Sequence, residues 1–294
     1  MTDVAEPTPT PTPGTRAIVL GGGGVAGIAW ELGVLSALED AGVDLGAADL
    51  VVGTSAGSVV GAFLRAGAVQ DAYAQQTSPL PTTYEEPAAV DVSEVEQRFG
   101  AAMQGAISEQ DARARVGAAA QEVTTGQSDD ERVATFRQTL PSAEWPAKPY
   151  AVTTVDAVDG SFRVFRAEDG VPLERAVAAS CSVPIVWSPV RIDGHPYVDG
   201  GVRSATNADV AAGYERVLVI ACSPEGPSPL GPWLDRSVAA LRDAGSQVEV
   251  VVADEASIRA FGTNSLALST QRPSAEAGRA QAEQVAERVA AFWA

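Results

Sequence analysis

The sequence predicts a layered α/β fold in which helices flank a mostly parallel central sheet and a helical insertion covers part of it. Short apolar runs alternate with helical patterns over residues 16–67, and such alternation is typical of parallel strands joined by helices. Two later apolar runs, at 216–221 and 248–252, have the composition of strands that are buried on both faces. Residues 70–146 carry scattered helical patterns rich in Ala, Gln and Glu, and they predict the insertion.

The first elements follow from the spacing of apolar residues. Residues 16–20 (RAIVL) predict a short strand that ends at four consecutive glycines, 21–24. Apolar side chains then recur three or four residues apart over 25–38, which predicts an amphipathic helix. A second short strand is predicted at 49–52, and a helix follows it at 58–66.

The later elements are predicted from the same patterns together with turn residues. The dipeptides Asp159-Gly160 and Asp193-Gly194 are typical of tight turns between paired strands. Pro273 precedes a helical pattern in which Ser274 is the predicted N-cap. These elements are strands at 150–155 and 162–165, a short helix at 172–179, a hairpin at 190–198 and a C-terminal helix from 274.

The patterns divide the chain into an arm and one domain. Residues 1–14 repeat Pro and Thr, and we expect them to form a disordered arm. Residues 15–294 predict a single domain. Its motifs lie within 15–215, its helical insertion covers about 70–146, and residues 216–294 form a C-terminal α/β extension.

Composition excludes several classes of function. The 294 residues include 38 acidic and 20 basic side chains, a formal charge of -18, so we expect no nucleic-acid binding and at most weak, apolar-driven membrane contact. Two cysteines and one histidine, in no ligand-like cluster, predict no metal site, and no cofactor is expected. The chain has no recognisable secretory signal and no apolar run of about 18 residues, which predicts a cytoplasmic protein. Composition says nothing about oligomeric state.

A serine in a glycine-bounded pentapeptide is the clearest candidate for catalysis. Ser55 is the centre of Gly53-Thr54-Ser55-Ala56-Gly57, which follows an apolar strand and precedes a helical pattern. This is the context of a nucleophile elbow, in which glycines permit a turn too tight for Cβ atoms. The dipole at the start of a helix also favours the anion that forms during attack. We therefore predict that Ser55 is a nucleophile.

The glycine run at 21–24 has two interpretations. Together with Gly27 it matches the dinucleotide-binding fingerprint, but no carboxylate closes the second strand and no G-K-[ST] follows. Backbone N–H groups at a helix start can stabilise an oxyanion as well as bind a phosphate. Because the candidate nucleophile follows the neighbouring strand, an oxyanion hole is the favoured interpretation.

The general base is harder to assign, because His195 is the chain's one histidine. It precedes the best candidate acid, Asp199, whereas the order Ser, acid, His is typical of α/β-hydrolases. We therefore disfavour a triad through His195. Asp199 opens the tripeptide Asp199-Gly200-Gly201, for which a plain turn is the alternative interpretation. A carboxylate with an ordinary pKa of about 3.9 must be partly desolvated and aimed at the hydroxyl to act as the base.

Three ordered motifs, Gly21–Gly27, Gly53–Gly57 and Asp199–Gly201, resemble those of the patatin-like phospholipases. A fourth segment of small residues, 179–184, is similar to the loop that precedes the Asp-Gly-Gly motif in that family. The resemblance extends over about residues 15–215. It implies a patatin-like fold and the activity of a lipid acyl hydrolase that uses a Ser–Asp dyad.

The resemblance also implies roles for individual residues. Ser55 matches the nucleophile of the dyad, and Asp199 matches its base. The amides around Gly22, Gly23 and Gly24 match the oxyanion hole. The implied substrate is a lipid or another acyl ester, and neither a metal nor a cofactor takes part.

One position departs from the family pattern. Ala26 stands where the family commonly has Arg or Lys, just before the last glycine of the first motif. The backbone donors are unaffected by this change, but the preference for phospholipids becomes an open question. Two alternatives to a hydrolase also stay open: an acyltransferase that uses the same nucleophile, and a non-catalytic module that binds a lipid or a nucleotide.

Overall fold

The computed structural model describes residues 8–79, 92–123 and 127–294, which form one eight-stranded sheet and ten α-helices. The strands are β1 (Thr12–Leu20), β2 (Leu50–Gly53), β3 (Tyr150–Asp156), β4 (Phe162–Phe165), β5 (Val190–Ile192), β6 (His195–Asp199), β7 (Tyr214–Ala221) and β8 (Gln247–Val252). The helices are α1 (Gly24–Asp40), α2 (Ala56–Ala66), α3 (Val69–Thr77), α4 (Val92–Ala102), α5 (Glu109–Gln121), α6 (Asp129–Thr139), α7 (Leu173–Ser180), α8 (Leu234–Asp243), α9 (Glu255–Phe261) and α10 (Gln271–Trp293).

The sheet is mixed, with a parallel centre. Its strand order is β5-β6-β3-β2-β1-β7-β8, and β4 pairs with β3. Strands β3, β2, β1, β7 and β8 run parallel to one another, whereas β4, β5 and β6 form antiparallel pairs at one side. The predicted mostly parallel central sheet flanked by helices is confirmed.

The parallel centre is buried on both faces, as its continuous apolar sequence predicts. Along β1, Ile18 and Leu20 belong to the main core, which contains α1, α2 and much of α10. Ala17 and Val19 point to the opposite face and belong to a second core that includes the apolar side of α8. Alternate side chains of one strand therefore serve two layers, which is why the run lacks a polar–apolar alternation.

Helices α1 and α10 cross in close contact over one face of the sheet. The Cβ atom of an alanine at Gly33 would lie 2.2 Å from the carbonyl oxygen of Ala275, so this crossing requires glycine. The Trp30 indole of α1 lies beside the crossing, where it donates to the Ser257 hydroxyl (3.0 Å) and to Gln281 (3.3 Å). The C-terminal helix is thus part of the core that supports α1.

Several boundaries differ from the sequence-based predictions. Strand β1 begins at Thr12, so residues 12–14 of the predicted disordered arm belong to a strand, while residues 1–7 lie outside the described ranges. Helix α10 begins at Gln271, so the predicted N-cap at Ser274 is wrong. Pro273 occupies the first turn instead, where its missing N–H has no intrahelical acceptor to bond.

Helices α3 to α6 occupy most of the segment where an insertion was predicted. Of that segment, residues 80–91 and 124–126 lie outside the described ranges. Helix α6 packs against α7, and α5 packs against β3 and β6 at the antiparallel side of the sheet. In the part of the chain that the structure describes, none of the helices is long and apolar enough to cross a membrane.

Pairing along β3 brings two distant parts of the chain together. Val152 of β3 pairs with Gly53, the last residue of β2, and Thr154 pairs with Asp199, the last residue of β6. Strand β4 pairs with residues 152–155 of the same strand. Because a strand has two edges, β2 and β6 must share the edge opposite β4. They run in opposite directions, so their C-terminal ends meet.

Candidate active site

Ser55 lies in a strained turn between β2 and α2. Its backbone angles are φ 52° and ψ -116°, a conformation that a residue with a Cβ atom rarely adopts. The Ser55 N–H donates to the Ser180 hydroxyl (2.9 Å), and the Ser55 carbonyl accepts from the N–H (2.9 Å) and hydroxyl (2.6 Å) of Ser58. These hydrogen bonds hold the turn in a conformation that costs on the order of 1–3 kcal/mol.

The elbow fits directly against the end of β1. The Gly57 N–H donates to the Gly21 carbonyl (2.9 Å), which ties the first turn of α2 to the glycine loop. The Cβ atom of an alanine at Gly57 would lie 2.2 Å from the carbonyl oxygen of Leu20. The second glycine of the pentapeptide is therefore needed for this close approach.

Asp199 lies opposite the elbow, at the end of β6. Its N–H donates to the Ser182 carbonyl (3.0 Å), its carboxylate accepts from the Gly201 N–H (2.7 Å), and it lines the same cleft as Ser55. Burial raises the pKa of Asp199 from 3.8 to about 6, against the opposing effects of the nearby Ser55 hydroxyl, the Gly201 N–H and the positive charge of Arg132. Desolvation is thus the main cause that brings the pKa of this carboxylate closer to neutral pH.

A buried polar network fixes the elbow relative to the Asp199 turn. The Thr54 and Thr153 hydroxyl groups lie 2.8 Å apart, and the Asn207 side-chain amide donates to the Thr54 hydroxyl (3.1 Å) and to the Gly200 carbonyl (3.1 Å). These groups link β2, β3 and the segment after β6. Local sequence offers no signal for Asn207, because its partners lie in three separate segments of the chain.

The end of α7 and the loop after it hold both candidate catalytic residues. The hydroxyl of Ser180, the last residue of α7, accepts from the Ser55 N–H, and the Ser182 carbonyl accepts from the Asp199 N–H. The segment 179–184 stood out in the sequence for its small residues, but that composition alone does not predict these two contacts. The polar side chain of Ser180 was the available signal for the first contact, and the second is made by the backbone.

The glycine loop contains two backbone amides without a hydrogen-bond acceptor among the described residues. The Gly21 N–H donates to the Ile220 carbonyl (3.0 Å) and to the Glu31 carboxyl (2.8 Å), and the Gly22 N–H donates to the Ala205 carbonyl (2.7 Å). The amides of Gly23 and Gly24 begin α1, where helix geometry leaves N–H groups unpaired. Of the three amides predicted for the oxyanion hole, that of Gly22 is therefore already bound to Ala205 in this structure.

Glu31 of α1 holds the glycine loop through a hydrogen bond from the Gly21 N–H. Its carboxyl is fully buried; one oxygen accepts from Gly21, and the other has no hydrogen-bond partner in the described part of the chain. Burial raises the pKa of Glu31 well above its ordinary value, although the hydrogen bond from Gly21 opposes the shift. Sequence alone does not show whether a glutamate in the helical pattern of α1 is buried or exposed to solvent.

We expect Glu31→Gln to be at least as stable as the wild type at pH 8, because the amide keeps an acceptor oxygen and has no charge to bury. Glu31→Ala should be less stable by about 2 kcal/mol, since it leaves a cavity under the loop and removes the acceptor. Urea unfolding at pH 8 measures both changes. Equal destabilisation in the two variants would contradict the assigned role of the carboxyl oxygen.

His195 lies at the opposite end of β6 from Asp199. Its side chain is 65% exposed, and its Nδ1 atom is 3.3 Å from a carboxylate oxygen of Asp156. Four residue steps along a strand correspond to about 13 Å. The structure therefore brings Asp199, and not His195, to Ser55.

A cleft of about 510 Å³ opens above Ser55 and Asp199. The glycine loop forms one wall, and apolar side chains from α4, the loop after α7 and the C-terminal segment form the others. These apolar side chains are Val95, Phe99, Val183, Val186, Ile258, Phe261 and Leu266. The site can hold an extended apolar group next to a serine hydroxyl.

The C-terminal segment also covers the position that departs from the family pattern. Ala26 is fully buried, and its N–H donates to the Ser265 carbonyl (2.9 Å). At Gly24, which has φ 65°, an added Cβ would lie 2.9 Å from Leu266 and from the Ser265 carbonyl. A basic side chain at residue 26 would need to enter a dry, occupied space.

Comparison with known proteins gives a family match and distant structural similarities, including those to VipD and ExoU. The solved structure of VipD from Legionella pneumophila is similar with a TM-score of 0.46 and 12% identity, over 95% of this chain and 68% of VipD. That of the type III effector protein ExoU gives 0.43 and 18%, over 96% of this chain and 54% of ExoU. No curated protein matches the chain. The model of the family described as patatin-like phospholipase matches residues 18–212, more than half of the chain, and this protein belongs to that family.

Proposed function

We propose that the protein is a serine lipid acyl hydrolase that cleaves carboxylic esters through a Ser55–Asp199 dyad. Membership of the patatin-like phospholipase family supports a lipid hydrolase function. The observation that carries the finer proposal is the placement of the two side chains: Ser55 and the buried carboxylate of Asp199 line the same apolar cleft, where the ends of β2 and β6 meet.

The proposed chemistry follows from this placement. Asp199 removes the proton of the Ser55 hydroxyl while the hydroxyl oxygen attacks the ester carbonyl. The Gly23 and Gly24 amides donate to the resulting oxyanion; loss of one such donor typically costs about 3 kcal/mol of transition-state stabilisation. The protonated Asp199 then protonates the departing alcohol, and an acyl-enzyme remains. Water, deprotonated by the same carboxylate, attacks the acyl carbonyl; the Ser55–acyl bond breaks, the acid leaves, and Asp199 returns the proton to the Ser55 oxygen.

The raised pKa of Asp199 makes this base effective. At a pKa of about 6 the carboxylate is still mostly ionised at pH 7, and it is a stronger base than an ordinary Asp. The apolar walls of the cleft maintain the desolvation that causes the shift. No histidine is needed for this sequence of proton transfers.

We also propose that residues 15–294 act as one hydrolase domain. The family match ends at residue 212, but Phe261 and Leu266 line the cleft above Ser55. A protein truncated after the matched segment would lose this wall. The C-terminal extension is thus part of the proposed site.

Labelling with a fluorophosphonate probe tests the proposed nucleophile. We expect one covalent adduct per chain, located on Ser55 by peptide mass spectrometry, and no adduct in Ser55→Ala. A known serine hydrolase labelled in parallel provides the control for probe quality. Absence of the adduct while the control enzyme is labelled would refute the proposal, and acyl transfer to an added alcohol that outcompetes hydrolysis would favour an acyltransferase.

A further inference from the structure

We propose that the cleft selects acyl esters whose alcohol part carries no negative charge, and discriminates against anionic phospholipids. This inference rests on the proposed ester hydrolysis at Ser55, and it names the class of substrate for that site. It follows from the charges that line the cleft and from the contacts that Arg132 and Arg203 make elsewhere.

The lining of the cleft contains no positively charged side chain among the described residues. Among the described residues that line it, Asp199 is the one charged side chain, and it is negative. The remaining side chains are apolar or uncharged, for example Phe99, Val186 and Phe261. A phosphate that entered this space would leave water for a site next to a carboxylate.

No cation can be supplied by the parts of the chain outside the described ranges. Residues 1–7, 80–91 and 124–126 contain neither Lys nor Arg. All 20 basic residues therefore lie within the described ranges, and none of them lines the cleft. The segment between α3 and α4, which precedes the cleft wall of α4, instead carries Glu85 and Glu86.

Arg132 is the cation whose charge reaches Asp199, and it is already engaged. Its guanidinium donates to the Cys181 carbonyl (2.7 Å) and lies 4.2 Å from the centre of the Trp187 ring. It opposes the rise in the pKa of Asp199, because its charge favours the ionised carboxylate. Its Nε atom has no hydrogen-bond partner among the described residues, but Arg132 does not line the cleft.

Arg203, which follows the cleft residue Val202, is engaged as well. Its guanidinium forms two hydrogen bonds with the Asp209 carboxylate (3.0 and 2.6 Å) and one with the Asn207 side chain (2.9 Å). A substrate anion would have to break this bidentate pair to gain a partner. Burial of an unpaired anion is strongly unfavourable, so the cleft favours uncharged head groups.

Two soluble esters with the same acyl chain test the inference. They are 2-nitrophenyl octanoate and 4-nitro-3-(octanoyloxy)benzoate, which differ in a carboxylate on the leaving group. Each kcat/KM is divided by the rate of hydroxide-catalysed hydrolysis of the same ester, which removes the difference in intrinsic reactivity. We expect the uncharged ester to be preferred at least tenfold, and Ser55→Ala to abolish both activities.

Salt separates the effect of the cleft from that of the whole protein. The formal charge of -18 also repels anions, but this long-range effect is screened at 0.5 M NaCl, where the Debye length is about 4 Å. A preference that arises in the desolvated cleft should persist at that salt concentration. Loss of the preference at high salt would overturn the inference, and so would equal or better use of the anionic ester.

Two substitutions of one residue on the rim of the cleft, one charged and one neutral, provide a matched pair of variants. Ile258 of α9 lines the cleft and is 45% exposed, so it tolerates a polar replacement. Ile258→Arg should raise the relative kcat/KM for the anionic ester by about tenfold, whereas Ile258→Gln should leave the ratio unchanged. If the ratio of kcat/KM for the anionic ester to that for the uncharged ester were the same in both variants, the inference would be overturned. If neither ester is hydrolysed in a Ser55-dependent way, the proposed function fails and this inference with it.

Discussion

Asp199→Asn should abolish ester hydrolysis and, at neutral pH, make the folded protein more stable. The amide cannot accept the Ser55 proton, and removal of a positioned general base typically lowers the rate by about 10²- to 10⁴-fold. The gain in stability has a separate cause. Burial raises the pKa of Asp199 to about 6 in the folded state, so the ionised carboxylate that the enzyme needs is unfavourable for folding.

The pH dependence of both effects follows from the direction of this shift. Between the ordinary pKa of 3.8 and the folded value of about 6, the folded protein binds more protons than the unfolded chain, so this group's contribution to stability falls as pH rises. Above about pH 6 the full penalty is present, about 3 kcal/mol for a shift of roughly two units. Activity has the opposite dependence, because kcat/KM should rise through pH 6 and level off above it.

Urea unfolding at pH 8 and a pH–rate profile of the wild type measure these effects. Asp199→Asn should be more stable than the wild type at pH 8, and the difference should shrink as the pH approaches 4. His195→Ala is the matched control, because His195 is exposed and lies at the far end of the same strand. If His195→Ala lost the activity and Asp199→Asn kept it, the dyad would be replaced by a conventional triad.

Ser55→Ala and Ser55→Gly should both be inactive, with activity reduced by about 10⁴-fold or more, but they should differ in stability. Both variants lose the hydroxyl next to Asp199. Alanine keeps a Cβ atom at φ 52°, whereas glycine adopts positive φ without steric strain. We therefore expect Ser55→Gly to be more stable than Ser55→Ala by about 1 kcal/mol.

The comparison of the two Ser55 variants isolates the strain of the elbow, because the chemical deletion is the same in both. Unfolding free energies measured in urea at one pH provide the difference. Equal stability would mean that the backbone at Ser55 is not strained. Residual hydrolysis in either variant near the wild-type rate would remove Ser55 from the proposed mechanism.

Short-range patterns predicted the elements that contain the motifs. The strand before Gly53, the helix after Ser55 and the hairpin at Asp193-Gly194 all depend on neighbouring residues, and each is present. Helices α8 and α9 were not predicted. Helix α9 has seven residues, too few for a helical repeat of apolar side chains to stand out, although Asp254 caps it through the Ser257 N–H.

The residues that form the cleft wall could not be predicted from local sequence patterns. Leu266 and Phe261 lie more than two hundred residues after Ser55, and their sequence neighbours carry no catalytic motif. Glu31 and Ala26 lie on a helix whose apolar spacing predicts a buried face, but the depth of their burial depends on what packs over that helix. Such features arise from long-range packing and have no local sequence signal.

The sequence by itself determined the local chemistry of this protein: a serine at a turn that requires glycine, and an aspartate at a second turn. It also determined that acidic residues outnumber basic ones, 38 to 20. Tertiary structure decided how these parts meet. Ser55 reaches Asp199 because β2 and β6 share one edge of β3, so that their ends face each other. It also decided that the Gly22 amide is bound to Ala205, which leaves Gly23 and Gly24 as the free donors of the described loop. Strand edges and amide partners are set by pairing between distant segments, and local spacing along the chain does not specify them.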